Sequence, residues 1–216
     1  MTSRISQIMN SHKRHLAAIL FTDVHGINPG IEATDQTALQ WRKLYHNVLI
    51  AHHEVFGGRI VNYYGHGSIS LFGCTLDAVR CARAMQREFQ ALGRGKVRMG
   101  LHVGEVLDEM EDVSGASVNL AARIQTLGVP GSVVFSDIVY AQIRNQPEFQ
   151  VISLGKFAVK NITNKVCTYA LKEKDLVVPS RLDILRSQHI NMLRLLMRAP
   201  VQAMLLLGRL VYSSLS

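Results

Sequence analysis

Residues 58–73, GRIVNYYGHGSISLFG, constrain the chain more than any other stretch. Arg59, Ile60, Val61, Asn62, Tyr63 and Tyr64 read as one strand, and Ser68, Ile69, Ser70 and Leu71 alternate as a second. The tip between them is Gly65-His66-Gly67. Two strands joined so tightly form an antiparallel hairpin, and the period-two alternation requires one buried face. Any fold for this chain has to place that face against a core.

The flanking segments say what the hairpin joins. Residues 16–22, LAAILFT, form a short apolar run that reads as a buried strand and ends in Asp23 and a glycine-containing turn. Thr34 is an expected N-cap, with Asp35 in the first turn of a helix. Leu44, Tyr45, Val48, Val55 and Phe56 follow at helical spacing until Gly57-Gly58. Beyond the hairpin, Thr75 opens a second helix with an apolar stripe of Ala78, Val79, Ala82, Met85, Phe89 and Leu92. Val97, Met99, Leu101 and Val103 then alternate as a strand. The order strand, helix, strand, strand, helix, strand predicts an α+β fold: a ferredoxin-like βαββαβ core with both helices on one face. Further strands and helices are expected C-terminal to it. They are a helix over 117–127, a strand at 133–135, a helix over 138–143, and strands at 149–153, 157–160 and 166–171. Residues 108–112 read as a polar stretch.

Composition narrows the class. The chain has 216 residues, 48% hydrophobic and 19% charged, as in an ordinary globular protein. Cys74, Cys81 and Cys167 form no CxxC pair, which suits a reducing compartment. The basic segment 1–14 lacks the apolar stretch of a signal peptide, and no apolar run reaches 18 residues, so a cytoplasmic location is expected. The net charge of +8 suits either general solubility or an anionic partner, phosphate or lipid. No nucleic-acid-binding motif is present, and no nucleic-acid partner is expected.

Several residues could carry chemistry. Asp23 leaves a buried strand into a turn, where a carboxylate can hold a hard cation or simply form the turn. Asn119 and Arg123 are four apart in VNLAARI, on one helix face. An amide beside a guanidinium suits a phosphoryl oxygen, or equally an exposed polar face.

Taken together and in order, these segments resemble the class III nucleotide cyclases. His15 to Val24, HLAAILFTDV, is similar to that family's opening strand, and residues 58–73 to its metal-binding hairpin. Residues 99–105 resemble its central strand, residues 112–123 its transition-state helix, and residues 155–169 its closing strands. The likeness covers about residues 14–172. It implies conversion of a nucleoside triphosphate to a 3′,5′-cyclic nucleotide and pyrophosphate, in a signalling role, with two divalent metal ions, manganese or magnesium. By the resemblance, Asp23 is a metal ligand and Val24 offers its backbone carbonyl. Asn119 orients the ribose, Arg123 stabilises the transition state and Lys160 meets the triphosphate. Asp112 helps recognise the base. The family's sites form between two chains, so a homodimer or a heterodimer with another cyclase chain is implied.

Two positions depart from the family. His66 stands in place of the second metal-binding carboxylate, which removes a negative charge and substitutes nitrogen for oxygen. Asn62 stands in place of the lysine that joins the acid in choosing a purine. The expectation is therefore either a cyclase with weak or non-magnesium activity, or an impaired pseudo-cyclase serving as a nucleotide-binding or dimerisation module. The chain divides into a basic leader at 1–14, a cyclase-like domain at 15–173 and a basic amphipathic helical extension at 174–216. In the extension, Leu182, Leu185, Ile190, Leu193 and Leu196 fall roughly on one face with arginines among the rest, so 180–214 is expected either to touch an anionic membrane or to cover the domain.

Overall fold

The computed structural model describes residues 13–25, 36–64, 66–93, 97–109, 112–159, 162 and 164–186. The expectations for the leader up to residue 12, Thr34 and Asp35, Lys160 and the extension beyond residue 186 lie outside the described residues. The elements are β1 (Lys13–Val24), α1 (Gln36–Phe56), β2 (Arg59–Tyr64), β3 (Gly67–Phe72), α2 (Thr75–Ala91), β4 (Val97–Glu109), β5 (Asp112–Ser114), α3 (Ala116–Leu127), β6 (Val133–Ser136), α4 (Asp137–Ile143), β7 (Val151–Phe157) and β8 (Val166–Leu171).

The eight strands form one sheet in the order β2-β3-β1-β4-β6-β8-β7, with β5 paired to β4. The first four strands lie in the order β2-β3-β1-β4, each antiparallel to its neighbours. This is the expected ferredoxin-like arrangement. β6 adds parallel to β4, and β8 and β7 continue antiparallel.

β1 lies inside the sheet, between β3 and β4, because both of its faces are apolar. Ala18, Leu20 and Val24 join the main core with Trp41, Tyr45 and Leu49 of α1 and Ala82, Met85 and Phe89 of α2. Ala17 and Ile19 face the other way and pack with Val118 and Ala121 of α3. The sheet is thus covered on both sides around β1, and alternate residues of one strand serve two cores.

Some boundaries differ from the sequence reading. In α1, Trp41 and Leu49 are buried, whereas Val55 is 73% exposed and takes no part in the stripe. The polar stretch at 108–112 is hairpin: β4 runs to Glu109 and β5 begins at Asp112. The two strands read at 149–153 and 157–160 are one strand, β7. Its pairing with β8 shifts register between Ser153 and Gly155, and Gly155 holds φ at +104°, which lets one strand pass through the irregularity.

The described start of the extension packs on the domain. Leu176 joins the main core, and Ile184 is fully buried with Leu127, Phe157 and Val159. Ser180 caps the helical segment at 181–186: its hydroxyl accepts from the Asp183 N–H at 3.2 Å, and its N–H donates to Asp183 at 3.0 Å. Leu182 and Leu185 point outward there while Ile184 turns in, so the apolar face at this point is not the one read from spacing.

Candidate functional site

Where β1 ends, the register sets Asp23 opposite Gly67 of β3 on one side and Arg98 of β4 on the other. The cross-strand placement has a direct chemical result. Arg98 donates to the Asp23 Oδ2 from Nε at 2.8 Å and lies 2.7 Å from it through Nη2. This is a charge-assisted contact between two partly buried groups. The sequence reading did not single out Arg98. Its only signal is its place in the alternating strand, and the pairing emerges once β1 and β4 are in register.

Behind Asp23 lies a buried hydroxyl cluster. Thr22 Oγ1 is 2.5 Å from the Tyr45 hydroxyl and 2.7 Å from Ser68 Oγ, and it accepts the Ser68 N–H at 3.1 Å. These bonds tie α1, β1 and β3 together at one point. Burial pushes the Tyr45 phenol up to about 12, so it stays a neutral donor. Gly67 is required beside them, since a Cβ there would overlap the Thr22 carbonyl oxygen. At the hairpin tip, Val24 N–H donates to the His66 carbonyl at 3.0 Å, which binds the end of β1 to the turn.

These groups open onto a cleft of about 390 Å³, walled on its far side by α3. Asp23, Arg98 and Arg123 are the charged residues lining it, and Tyr64 and Gln125 are among its polar ones. α3 comes this close because Gly100 of β4 has no side chain; a Cβ there would overlap the backbone of Gln125. Arg123 and Asp23 therefore share one cleft within one chain.

The remaining candidates lie around this cleft. Asn119 is exposed on α3, one turn before Arg123, and does not line the cleft. His66 is half-buried at the tip and is likewise outside the lining. Asn62 is exposed on β2, where its side chain accepts the Tyr63 N–H at 2.7 Å. Asp112 begins β5 and accepts its neighbour Val113's N–H at 2.8 Å. The Tyr64 hydroxyl points to the same Asp112 oxygen at 3.4 Å, so Tyr64 joins the cleft to the Asp112 position. Burial first, and then the Asp112 charge, holds the Tyr64 phenol above its ordinary value.

The family is decided by comparison with known proteins. The family model for the adenylate and guanylate cyclase catalytic domain matches residues 66–173, half of the chain. The chain belongs to the class III nucleotide cyclases. A putative adenylate cyclase 3 of Rhizobium meliloti is 29% identical over 177 residues, which cover 76% of this chain and 30% of that protein. An uncharacterized protein of Mycobacterium bovis is 27% identical over 124 residues, 53% of this chain and 42% of that protein. The chain thus spans less than half the length of these relatives. Among solved structures, an adenylate/guanylate cyclase/hydrolase from Silicibacter pomeroyi aligns at a TM-score of 0.69 and 29% identity, over 76% of this chain and 99% of that one. The adenylyl cyclase CyaB from P. aeruginosa aligns at a TM-score of 0.63 and 22% identity, over 77% of this chain and 99% of that one, and supports the fold.

Cyclase domains bind nucleoside triphosphates, typically dimerise and generally use two divalent metal ions. Among the described residues, the donor set does not fit such a metal pair. Among the described residues, the cleft is lined by one carboxylate, already held by Arg98, and two guanidiniums. Among the described residues no three His, Cys, Asp or Glu side chains cluster to hold a cation. No described helix is long and apolar enough to cross a membrane.

Proposed function

We propose that this chain is a nucleotide-binding cyclase-family domain that holds a nucleoside triphosphate and turns it over weakly or not at all. The observation that carries the reading is the state of Asp23. Among the described residues its carboxylate is the one acid lining the cleft, and Arg98 already engages it. Two dications brought to such a site lack a second carboxylate and meet a guanidinium instead. An anionic ligand meets the opposite situation: two arginines and a wall of polar groups suit phosphoryl oxygens.

On this reading the chain's own residues bind and orient. Arg98 and Arg123 take phosphate charge. Tyr64 stands between the phosphates and the Asp112–Asn62 corner, where the base would lie. Asn119, exposed on the same face of α3 one turn before Arg123, keeps the ribose-orienting role that the resemblance implies. Lys160 keeps the triphosphate role that the resemblance implies. The family relation supports the substrate class, and the departure at His66 supports the weak turnover.

Product analysis tests this. Each nucleoside triphosphate is incubated with the chain in magnesium and in manganese, with nucleotide binding measured in parallel. Binding with little or no cyclic product is the expected result. Turnover at the rate of an ordinary cyclase in magnesium would show that the site carries a full metal complement and would end this reading.

A further inference from the structure

Resting for its output on the nucleotide-binding reading, we propose that residues 174–186 form a membrane-coupled strap. Its outward side takes an anionic lipid surface, and its inward side, through Ile184, clamps α3 and the end of β7.

The strap crosses from the α1–α2 side of the sheet to the α3 side. Leu176 lies in the main core. The Val177 N–H donates to the Gly131 carbonyl at 2.9 Å, and the Gly131 N–H donates to the Val97 carbonyl at 2.8 Å, so one loop residue bonds the strap to the start of β4. Pro179 is buried. Ser180 and Asp183 then cap the short helical segment at 181–186, and Ile184 is fully buried in one cluster with Leu127, Phe157 and Val159. Leu127 is the last residue of α3, one turn beyond Arg123. Val159 precedes Lys160 in the sequence. One side chain of the strap therefore packs within a turn of Arg123 and beside the approach to Lys160.

The other side of the same segment is apolar and basic. Arg181, Leu182, Leu185 and Arg186 are exposed, Leu182 by 65%. An exposed leucine alone says little. This one opens a run of the sequence that holds Arg186, Arg194, Arg198 and Arg209 among many Leu and Met residues, with no Asp or Glu after Asp183. Charge selects the occupant. A second copy of this +8 chain would bring like charge to that face, whereas anionic headgroups meet the arginines and the acyl boundary takes the leucines. The direction of the coupling follows from the geometry. Lipid engages Leu182 while Ile184 still faces the domain, so the bound segment is restrained with Ile184 seated and the clamp on α3 tightens. Coupling is reciprocal, and lipid and nucleotide should strengthen each other by one factor.

The full chain is mixed with phosphatidylcholine vesicles, with and without phosphatidylserine. Pelleting, deuterium exchange in residues 116–127 and 151–159, and affinity for ATP and GTP are measured. Pelleting should require phosphatidylserine and weaken with salt. On those vesicles exchange in both stretches should slow by about fivefold or more, and nucleotide affinity should rise by the same factor. Leu182→Glu should abolish pelleting with a melting temperature close to the wild type, since it changes an exposed side chain. Ile184→Ala should still pellet but lose the exchange response; if it does not fold, Ile184→Val, one methylene smaller, should blunt that response. Pelleting that ignores phosphatidylserine, or that Leu182→Glu leaves intact, overturns the lipid face. Vesicle binding with α3 exchange unchanged or faster overturns the clamp. A fall in mass by light scattering for Leu182→Glu without vesicles gives the face to a second copy and overturns the proposal. Slowed exchange on vesicles with no nucleotide bound under any condition ends the nucleotide-binding reading and leaves the strap standing.

Discussion

Gly100 of β4 and Gln125 of α3 pack backbone to backbone, with no room between them for a methyl group. This contact sets the distance between the sheet, which carries Arg98, and the helix, which carries Arg123. Gly100→Ala should therefore push α3 outward. Overpacking of this kind costs about 1–3 kcal/mol, and for a chain of this size each kcal/mol lowers the melting temperature by about 2–4 °C. Anion affinity should fall with it. Gly73→Ala is the control, since nothing lies within 4 Å of a Cβ there. Equal melting temperatures for the two variants would show that α3 yields freely.

His66→Asp restores an oxygen ligand and a negative charge at the hairpin tip. Cyclic nucleotide formed per minute in magnesium and in manganese should rise above the wild type, because paired metals need both carboxylates. A folded variant with no gain in either metal would mean that Arg98, holding Asp23, limits the site more than His66 does.

Tyr45→Phe removes one hydroxyl from the cluster behind Asp23 and leaves the ring against Trp41 and Phe89. The loss should be about 1 kcal/mol near neutral pH. The native phenol is raised to about 12 from 10.0, so the stability it contributes is present below pH 10.0 and is lost as pH rises through that window. The gap between wild type and variant in denaturant midpoint should accordingly shrink at alkaline pH. A constant gap would count against the buried hydroxyl as its source.

His53 and His102 are both held below the ordinary histidine value, first by burial. His102 keeps Ser136 Oγ at 2.9 Å from Nδ1, and His53 keeps the Leu49 carbonyl at 2.7 Å. The unfolded chain takes up protons near 6.5 while the folded chain resists them, so stability should fall as pH drops below that value, by up to about 1.4 kcal/mol per pH unit for each group. Melting temperatures between about pH 7.5 and pH 5.5 report the slope. His102→Gln should flatten it even if the variant melts lower overall. An unchanged slope would place the acid sensitivity elsewhere.

The βαββαβ order was legible because the apolar alternation of β3 and β4 and the stripe of α2 are strong periodic signals in short segments. Asp23 and Arg123 could be nominated from residue type and spacing, but their meeting in one cleft could not. It depends on α3 lying against Gly100, a contact between residues 25 apart in sequence. Arg98 was missed for a related reason. An arginine on the polar side of a strand looks like any solvated charge until the β1–β4 register sets it opposite Asp23. The sequence reading divided β7 on either side of Gly155, whose positive φ lets the strand run on. The β4–β5 hairpin carries acids at its turn, and an exposed polar hairpin leaves little periodic trace.

β1 carries the floor of the cleft on a strand flanked by β3 and β4 and covered by helices on both faces. Its last amide is tied to His66 as well. Such a floor has no hinge of its own. The amides of Thr22, Asp23 and Val24 should exchange with solvent deuterium about as slowly as that of Leu20 in the core, because exposing any of them requires parting the sheet. A ligand entering the cleft meets a preformed wall, and accommodation falls to the side chains of Arg123, Gln125 and Tyr64. Tight and loose ligands should differ in how those three settle, with β1 itself left unmoved.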